Sequence, residues 1–437
     1  MYLSFLCKTW YNIFGDKMNV NKLFNISDRI SNISEECENE LKVIFKEFEY
    51  TSYVNQAKIL KSFQDNKVAT MHLGSSTGYG YGDPGREVIE KIYSDIFGVE
   101  DALVRVQFVN GTHAISTALF ACLKSGDELL YITGKPYDTL AETIGITENS
   151  MSLMSNGVKY NSIDLKDANE FDEDKIIEYI KSNTVKMIAI QRSKGYAVRK
   201  SMRIFQIESI VQKIKSIDNN IIVMVDNCYG ELVEELEPTN VGADLCCGSL
   251  IKNIGGGLCE TGAYIVGKSK YVELCAQRLT CPGIGKECGA TMYQNRNILQ
   301  GLFIAPSVVC NALKSMTFTA CILEKLGFSA YPNYLEKRTD IIQTVKFDKK
   351  EELIKFIQGI QKASPVDSHV TPQPWNMPGY TDQVIMAAGT FIEGASIELS
   401  ADSPIREPYV AYIQGGITYE SAKLAILIAI ENMLSEE

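Results

Sequence analysis

The feature that most restricts the fold is an alternation in the middle of the chain. Short continuous apolar runs at 102–109, 128–133, 185–190, 221–225 and 243–250 are separated by segments with helical spacing. A strand that is apolar along its whole length is buried on both faces, and strands joined by helices pair in parallel. The region therefore predicts a mainly parallel sheet covered by helices. Among the helical segments are 113–123 and 205–217; in the latter Ile207, Ile210, Val211 and Ile214 share one face. The run 261–267 comes too soon after its predecessor for a crossover helix, so an antiparallel strand is expected there.

On either side the texture differs. Residues 26–63 carry helical spacing, with Leu41, Ile44, Phe45 and Phe48 on one stripe, which predicts one or two helices. A glycine-rich stretch, GSSTGYGYGDPGRE at 74–87, precedes a helix striped by Val88, Ile89, Ile92, Tyr93 and Ile96. Beyond Pro306 a helix at 307–326 should lead into alternating strands and helices and a final apolar helix at 419–434. We expect a helical arm at 1–65, a large domain at 66–305 and a smaller C-terminal α/β domain at 306–437. Residues 1–17 read equally well as an amphipathic arm or as a lead-in before a true start at Met18. They lack the features of a signal peptide, and no other stretch approaches a membrane-spanning length.

Composition narrows the partners. The formal net charge is -11, which repels phosphate backbones and anionic lipid, so a small molecule is a better expectation than nucleic acid or membrane. The 12 cysteines are scattered without a C-x-x-C pair, which suggests reduced, mostly buried thiols in a cytoplasmic protein. Cys281 and Cys288 have no accompanying histidine–cysteine ligand set, so no metal site is expected.

Four places along the predicted sheet could carry chemistry. In VQFVNGTHAISTAL a strand turns at Asn110-Gly111-Thr112 into a helix; glycine permits close approach, the threonine hydroxyl can donate, and a helix N-terminus favours an anion. The same pattern also serves as a plain connection. Tyr137, just past a strand, could stack on a flat ring or simply pack a loop. Asp226 ends the apolar strand of NNIIVMVDNCYGE, at the edge where open α/β sheets bind ligands. A buried aspartate needs a positive partner, and the pyridinium nitrogen of pyridoxal phosphate is one; capping a helix or turn is the other reading. Lys252 lies 26 residues further on, in GSLIKNIGGG, after an apolar strand and before three glycines. Its amine can form an imine with an aldehyde, and the glycines could make room for a bulky cofactor. Ser249 could reach the same phosphate as Thr112. The order and spacing together point to a pyridoxal-phosphate enzyme.

The chain resembles the methionine gamma-lyase-like family also known as aluminium resistance proteins, relatives of the cystathionine and methionine lyases. The resemblance runs from about Asn21 to Asn432 and is strongest in GYGYGDPGRE, NGTHAIS, QRSKGY, VDNCYGE, GSLIKNIGGG and SADSPIREPY. It implies the aspartate-aminotransferase-like (fold type I) architecture, with a mainly parallel seven-stranded sheet. It also implies that Lys252 forms the Schiff base, Asp226 faces the pyridinium, Tyr137 stacks on the ring, and Gly111, Thr112 and Ser249, with His113 beside them, receive the phosphate. Tyr79, Tyr81 and Arg86 are candidates for reaching a neighbouring subunit's site, although their spacing departs from the lyases' tyrosine-x-arginine pattern. That role would make a homodimer the smallest unit, with a homotetramer as a pair of dimers. The substrate carboxylate is expected at Arg406, with Arg192 as competitor and Gln191 beside it.

By the same resemblance the activity is elimination of a thiol from a sulfur amino acid, giving a 2-oxo acid and ammonia. Lys252 would move the Cα proton and Tyr137 could protonate the departing sulfur. γ-Elimination from methionine, β-elimination from cysteine or cystathionine, and replacement chemistry all fit these residues. A non-catalytic carrier or metal-tolerance role is the alternative of another class.

Overall fold

The computed structural model describes residues 20–195, 197, 199–377 and 382–435. A single long helix, α1 (Asp28–Asp65), spans the N-terminal region; Ser27 caps it and also bonds Glu431 near the other end of the chain. The stripe helix α2 (Pro84–Phe97) buries all five expected positions, Val88, Ile89, Ile92, Tyr93 and Ile96. It is capped by Asp83, whose carboxylate accepts from the Arg86 amide.

The large sheet has seven strands: β1 (Asp101–Arg105), β2 (Glu128–Tyr131), β3 (Lys159–Ser162), β4 (Met187–Gln191), β5 (Ile222–Asp226), β6 (Leu245–Ser249) and β7 (Ala263–Gly267), in the order β1-β7-β6-β5-β4-β2-β3. Strands β2 to β6 pair in parallel, and β7 runs antiparallel to both β1 and β6, as its short connection requires. The strands match the apolar runs to within a few residues at each end, and β4 and β5 reach one residue further, to Gln191 and Asp226. The strand not expected is β3, an edge strand of mixed exposure whose sequence KYNS carries no apolar run. Crossover helices α3 (Gly111–Cys122), α4 (Asp138–Ile144), α5 (Glu173–Ser182) and α6 (Ile204–Ile217), with α7 (Ser269–Leu279) after β7, cover the sheet.

Helix α8 (Asn295–Lys325) begins well before the expected 307 and runs straight through Pro306. Proline there removes one ladder hydrogen bond, and burial on both sides outweighs that loss. Ile298, Leu302, Val309 and Leu313 belong to the core of the large sheet, while Met316, Phe318 and Ile322 belong to the core of the C-terminal sheet. One helix thus fastens two cores together. It is also long and apolar enough to cross a membrane, contrary to the sequence expectation, but 67% of its most apolar window is buried inside the protein.

The C-terminal sheet contains β8 (Ser329–Tyr331), β9 (Ile342–Phe347), β10 (Val384–Ala387), β11 (Ser400–Pro404) and β12 (Tyr409–Gln414), ordered β10-β11-β12-β9-β8. Every pairing in it is antiparallel, so this part is an antiparallel sheet backed by α9 (Lys350–Lys362) and α10 (Tyr419–Leu434) rather than a strand–helix alternation.

Candidate active site

The carboxyl ends of β4, β5 and β6 come level, with Gln191 paired to Asp226 and Asp226 to Cys247 across the strands. Above this edge lies a cavity of about 790 Å³. Its floor includes Gly111, Thr112, Tyr137, Gln191, Asp226, Tyr229, Ser249 and Lys252; its roof is Ile342, Asp402, Tyr412 and Gln414 from the antiparallel sheet.

On one side the backbone forms a cradle. Asn110 caps α3 by accepting from the His113 amide at 2.9 Å, which leaves the Gly111 and Thr112 amides of the first turn without helical partners. A methyl group on Gly111 would come within 3.3 Å of Cys228 Sγ and Ser249 Cβ, so glycine lets the turn approach this closely without displacing either. Ser249 is 1% exposed, and its hydroxyl has no hydrogen-bond partner among the described residues. Thr112 Oγ1 lies 2.9 Å from the Tyr137 hydroxyl. A helix N-terminus, two hydroxyls and an orphaned buried Oγ make a receptor for a phosphate.

Asp226 closes the other end of the floor. Its Oδ1 accepts from the Cys228 amide at 3.1 Å. Burial pushes its carboxyl pKa up, opposed by the charge of Lys252. Burial likewise raises the Tyr137 phenol well above its ordinary range, so that side chain stays a proton donor at neutral pH. Lys252 leaves β6 through the turn 249–252 and extends its amine over the cavity floor. Desolvation alone would discharge that amine, but Cys228, Tyr229, Asp226 and Tyr137 around it bring it out well above the usual lysine range. These residues fit pyridoxal phosphate: an aldehyde-reactive amine, a carboxylate for the ring nitrogen, an aromatic for the ring face and a cradle for the phosphate.

Several expectations need correction. The triple glycine after Lys252 makes room for the chain rather than for a cofactor: a Cβ on Gly255 would sit 1.7 Å from the Leu250 carbonyl oxygen, and one on Gly256 2.4 Å from that of Gly301. His113 turns away from the cradle. Its Nδ1 accepts from the Val109 amide at 3.1 Å, its ring packs edge-on to Phe108, and burial lowers its pKa. Arg192 is fully buried and cannot meet a substrate. Its guanidinium is spent on Asn227 Oδ1 (2.7 Å), Gly230 O (2.9 Å), Glu234 Oε1 (3.0 Å) and Thr339 Oγ1 (3.2 Å), with Glu237 at 3.7 Å. Arg86 is also buried. It clamps the carbonyls of Gly80, Gly289 and Glu287 and so braces its loop from inside, while Tyr79 and Tyr81 stand exposed beside each other.

Arg406 is exposed and paired with Asp382 at 3.0 Å. It borders a side pocket that shares Tyr137, Asp138 and Gln191 with the main cavity. That pocket also contains two residues the sequence reading passed over, Lys194 and Arg199. Both are buried, which lowers the Lys194 pKa to about 8 and the Arg199 pKa to about 10. Among the described residues no group of three or more His, Cys, Asp or Glu side chains is placed to share a metal ion, and the eleven described cysteines are all free.

A family model described as methionine gamma-lyase matches residues 30–434. The chain belongs to the methionine gamma-lyase family. An uncharacterised protein of Bacillus subtilis is 54% identical over 404 residues, 92% of this chain and 96% of that protein. Among solved structures, a protein named as a carbon-sulfur lyase involved in aluminium resistance from Clostridium novyi is 47% identical, with a TM-score of 0.91 over 95% of this chain and 98% of the other. One from Clostridium acetobutylicum, provisionally named a cystathionine beta-lyase involved in aluminium resistance, is 49% identical, with a TM-score of 0.92 over 95% and 98%. The fold, more distantly, is that of cystathionine gamma synthase from Xanthomonas oryzae, at 13% identity and a TM-score of 0.59 over 87% and 98%. This is the fold type I architecture expected from the sequence.

Proposed function

We propose that this family member is a pyridoxal-phosphate-dependent carbon–sulfur lyase that eliminates a thiol from a sulfur amino acid, releasing a 2-oxo acid and ammonia. The observation that carries the reading is the convergence of Lys252, Asp226 and the Gly111–Thr112–Ser249 cradle on one cavity floor. When bound, the cofactor supplies an electron sink for the carbanion formed at Cα. The chain's residues do the rest. Asp226 would hold the ring nitrogen by its charge, Tyr137 would cover the ring, and Ser249 and Thr112 would receive the phosphate. Lys252, as a neutral amine, would take the proton from Cα. Tyr137, protonated and hydrogen-bonded to Thr112, can give a proton to the departing sulfur. The roof of antiparallel sheet shields these steps from water.

The substrate carboxylate would lie toward Gln191 and the side pocket, where Arg406 can turn inward from Asp382. The family model favours γ-elimination from methionine, and the names given to the solved relatives favour β-elimination from a thioether such as cystathionine. A homodimer built over the exposed Tyr79 and Tyr81, and a cytoplasmic location, complete the proposal. Assays of 2-oxo acid and thiol release from L-methionine, L-cysteine and L-cystathionine test it. The oxo acid formed names the bond broken, and no product from any sulfur amino acid by cofactor-loaded protein would refute the lyase reading.

A further inference from the structure

Among the described residues the Lys252 amine makes no hydrogen bond and no ion pair. It lies instead over the face of the Tyr229 ring, whose centroid is 3.9 Å from Nζ. An aromatic face at this distance attracts an ammonium and has no such preference for a neutral amine. Tyr229 reaches that position at a cost, because its φ is +71°, a left-handed conformation that bulky residues avoid.

The turn carrying it is held from both sides. Arg192 bonds Asn227 Oδ1 and the Gly230 carbonyl. Asn253, the residue directly after Lys252, donates from Nδ2 to the carbonyls of Tyr229 and Glu231, each at 3.0 Å. The lysine and the ring are therefore fastened to each other through the backbone.

We propose that, in cofactor-free protein, the Tyr229 ring is the resting place of the Lys252 ammonium, making Tyr229 a positioning residue that keeps the amine over the cavity until cofactor arrives. This rests on the reading of Lys252 as the reactive amine. It assigns the buried Arg192 a purpose as well, since that side chain braces the turn on which the ring stands.

The test is the protonation equilibrium of Lys252 in cofactor-free protein, read as the pH dependence of its labelling by reductive methylation with mass spectrometry. The groups facing the amine are Asp226, Cys228, Tyr137, Tyr229 and Glu231. Glu231 is held up to about 8 by burial and would change its charge within the pH range scanned, so Glu231→Gln serves as the common background. Tyr229→Leu should shift the equilibrium roughly 3- to 30-fold toward the neutral amine, moving the midpoint down by about half to one and a half pH units. Tyr229→Phe, which keeps the face, should titrate like the parent, and Tyr229→Trp should titrate at or above it. A Leu variant that titrates like the parent overturns the proposal, as does a Phe variant shifted as far as Leu. Should the Leu variant fail to fold, a Trp midpoint below that of the parent overturns it equally. No step depends on turnover, so failure of the lyase reading would appear separately, as cofactor-loaded protein that releases no thiol.

Discussion

The cavity floor and its arginines make a useful contrast. On the floor, residues from three separate strand ends (Gly111 and Thr112 after β1, Asp226 on β5, Ser249 and Lys252 at β6) meet as their sequence positions imply. The arginines do not. Of the three that the family resemblance suggested, Arg192 and Arg86 are consumed inside the protein, and Arg406 stands at a rim. A residue at the carboxyl end of a buried strand is placed by the backbone, whereas an arginine is placed by whatever partners its long side chain finds. Those partners, such as Glu234 and Thr339 for Arg192, lie far away in sequence.

The contrast can be broken by substitution. The largest effect belongs to the floor: Lys252→Ala should lower kcat by about 10²- to 10⁴-fold or more, with the fold unchanged by circular dichroism. Next comes Arg192→Ala, which should act on stability rather than on substrate. Leaving Glu237 and part of Glu234 buried without their cation costs about 3–5 kcal/mol, measurable by urea unfolding. Arg406→Ala is the counterpart: an exposed pair contributes at most ~1 kcal/mol, so the same unfolding curve should barely move while KM rises. A loss of stability in Arg406→Ala comparable to that in Arg192→Ala would erase the distinction.

Two further effects sharpen it. Ser249→Ala removes a hydroxyl from the phosphate cradle and should weaken pyridoxal-phosphate binding about 10- to 150-fold by fluorescence titration, the value of a hydrogen bond to a charged group. His113→Ala, outside the cradle, should leave that affinity nearly unchanged. The other is the pH dependence of stability set by Glu231, whose carboxyl is lifted by burial from its ordinary 4.5 to about 8. The folded state therefore holds its proton more tightly than the unfolded chain. The resulting stability is fully present below about pH 4.5 and is lost as pH rises through about 8. Glu231→Gln should flatten that part of the stability profile; an unchanged slope would place the titration elsewhere.

These outcomes also show what can be read from the sequence. The parallel sheet, the antiparallel β7 and the floor residues follow from apolar runs and from what ends them. The polar edge strand β3 was hidden because it has no buried face to impose a pattern. The start of α8 was hidden because Pro306 reads as a breaker in a sequence that cannot show the two cores paying for its presence. Tyr229 was in plain view in VDNCYGE, but neither its positive φ nor its place under Lys252 has a linear signal. Lys194 and Arg199 join the side pocket by folding back from the end of β4, which nothing in their spacing announces.

The central claim is that Lys252 is the residue that bonds pyridoxal phosphate. The most direct measurement is borohydride reduction of the protein mixed with the cofactor, followed by peptide mass spectrometry, with Lys252→Ala in parallel. The account predicts a reduced pyridoxyl label on the peptide containing Lys252 and a visible absorbance band that the variant lacks. A label on another lysine, or a variant that keeps the band, would contradict it.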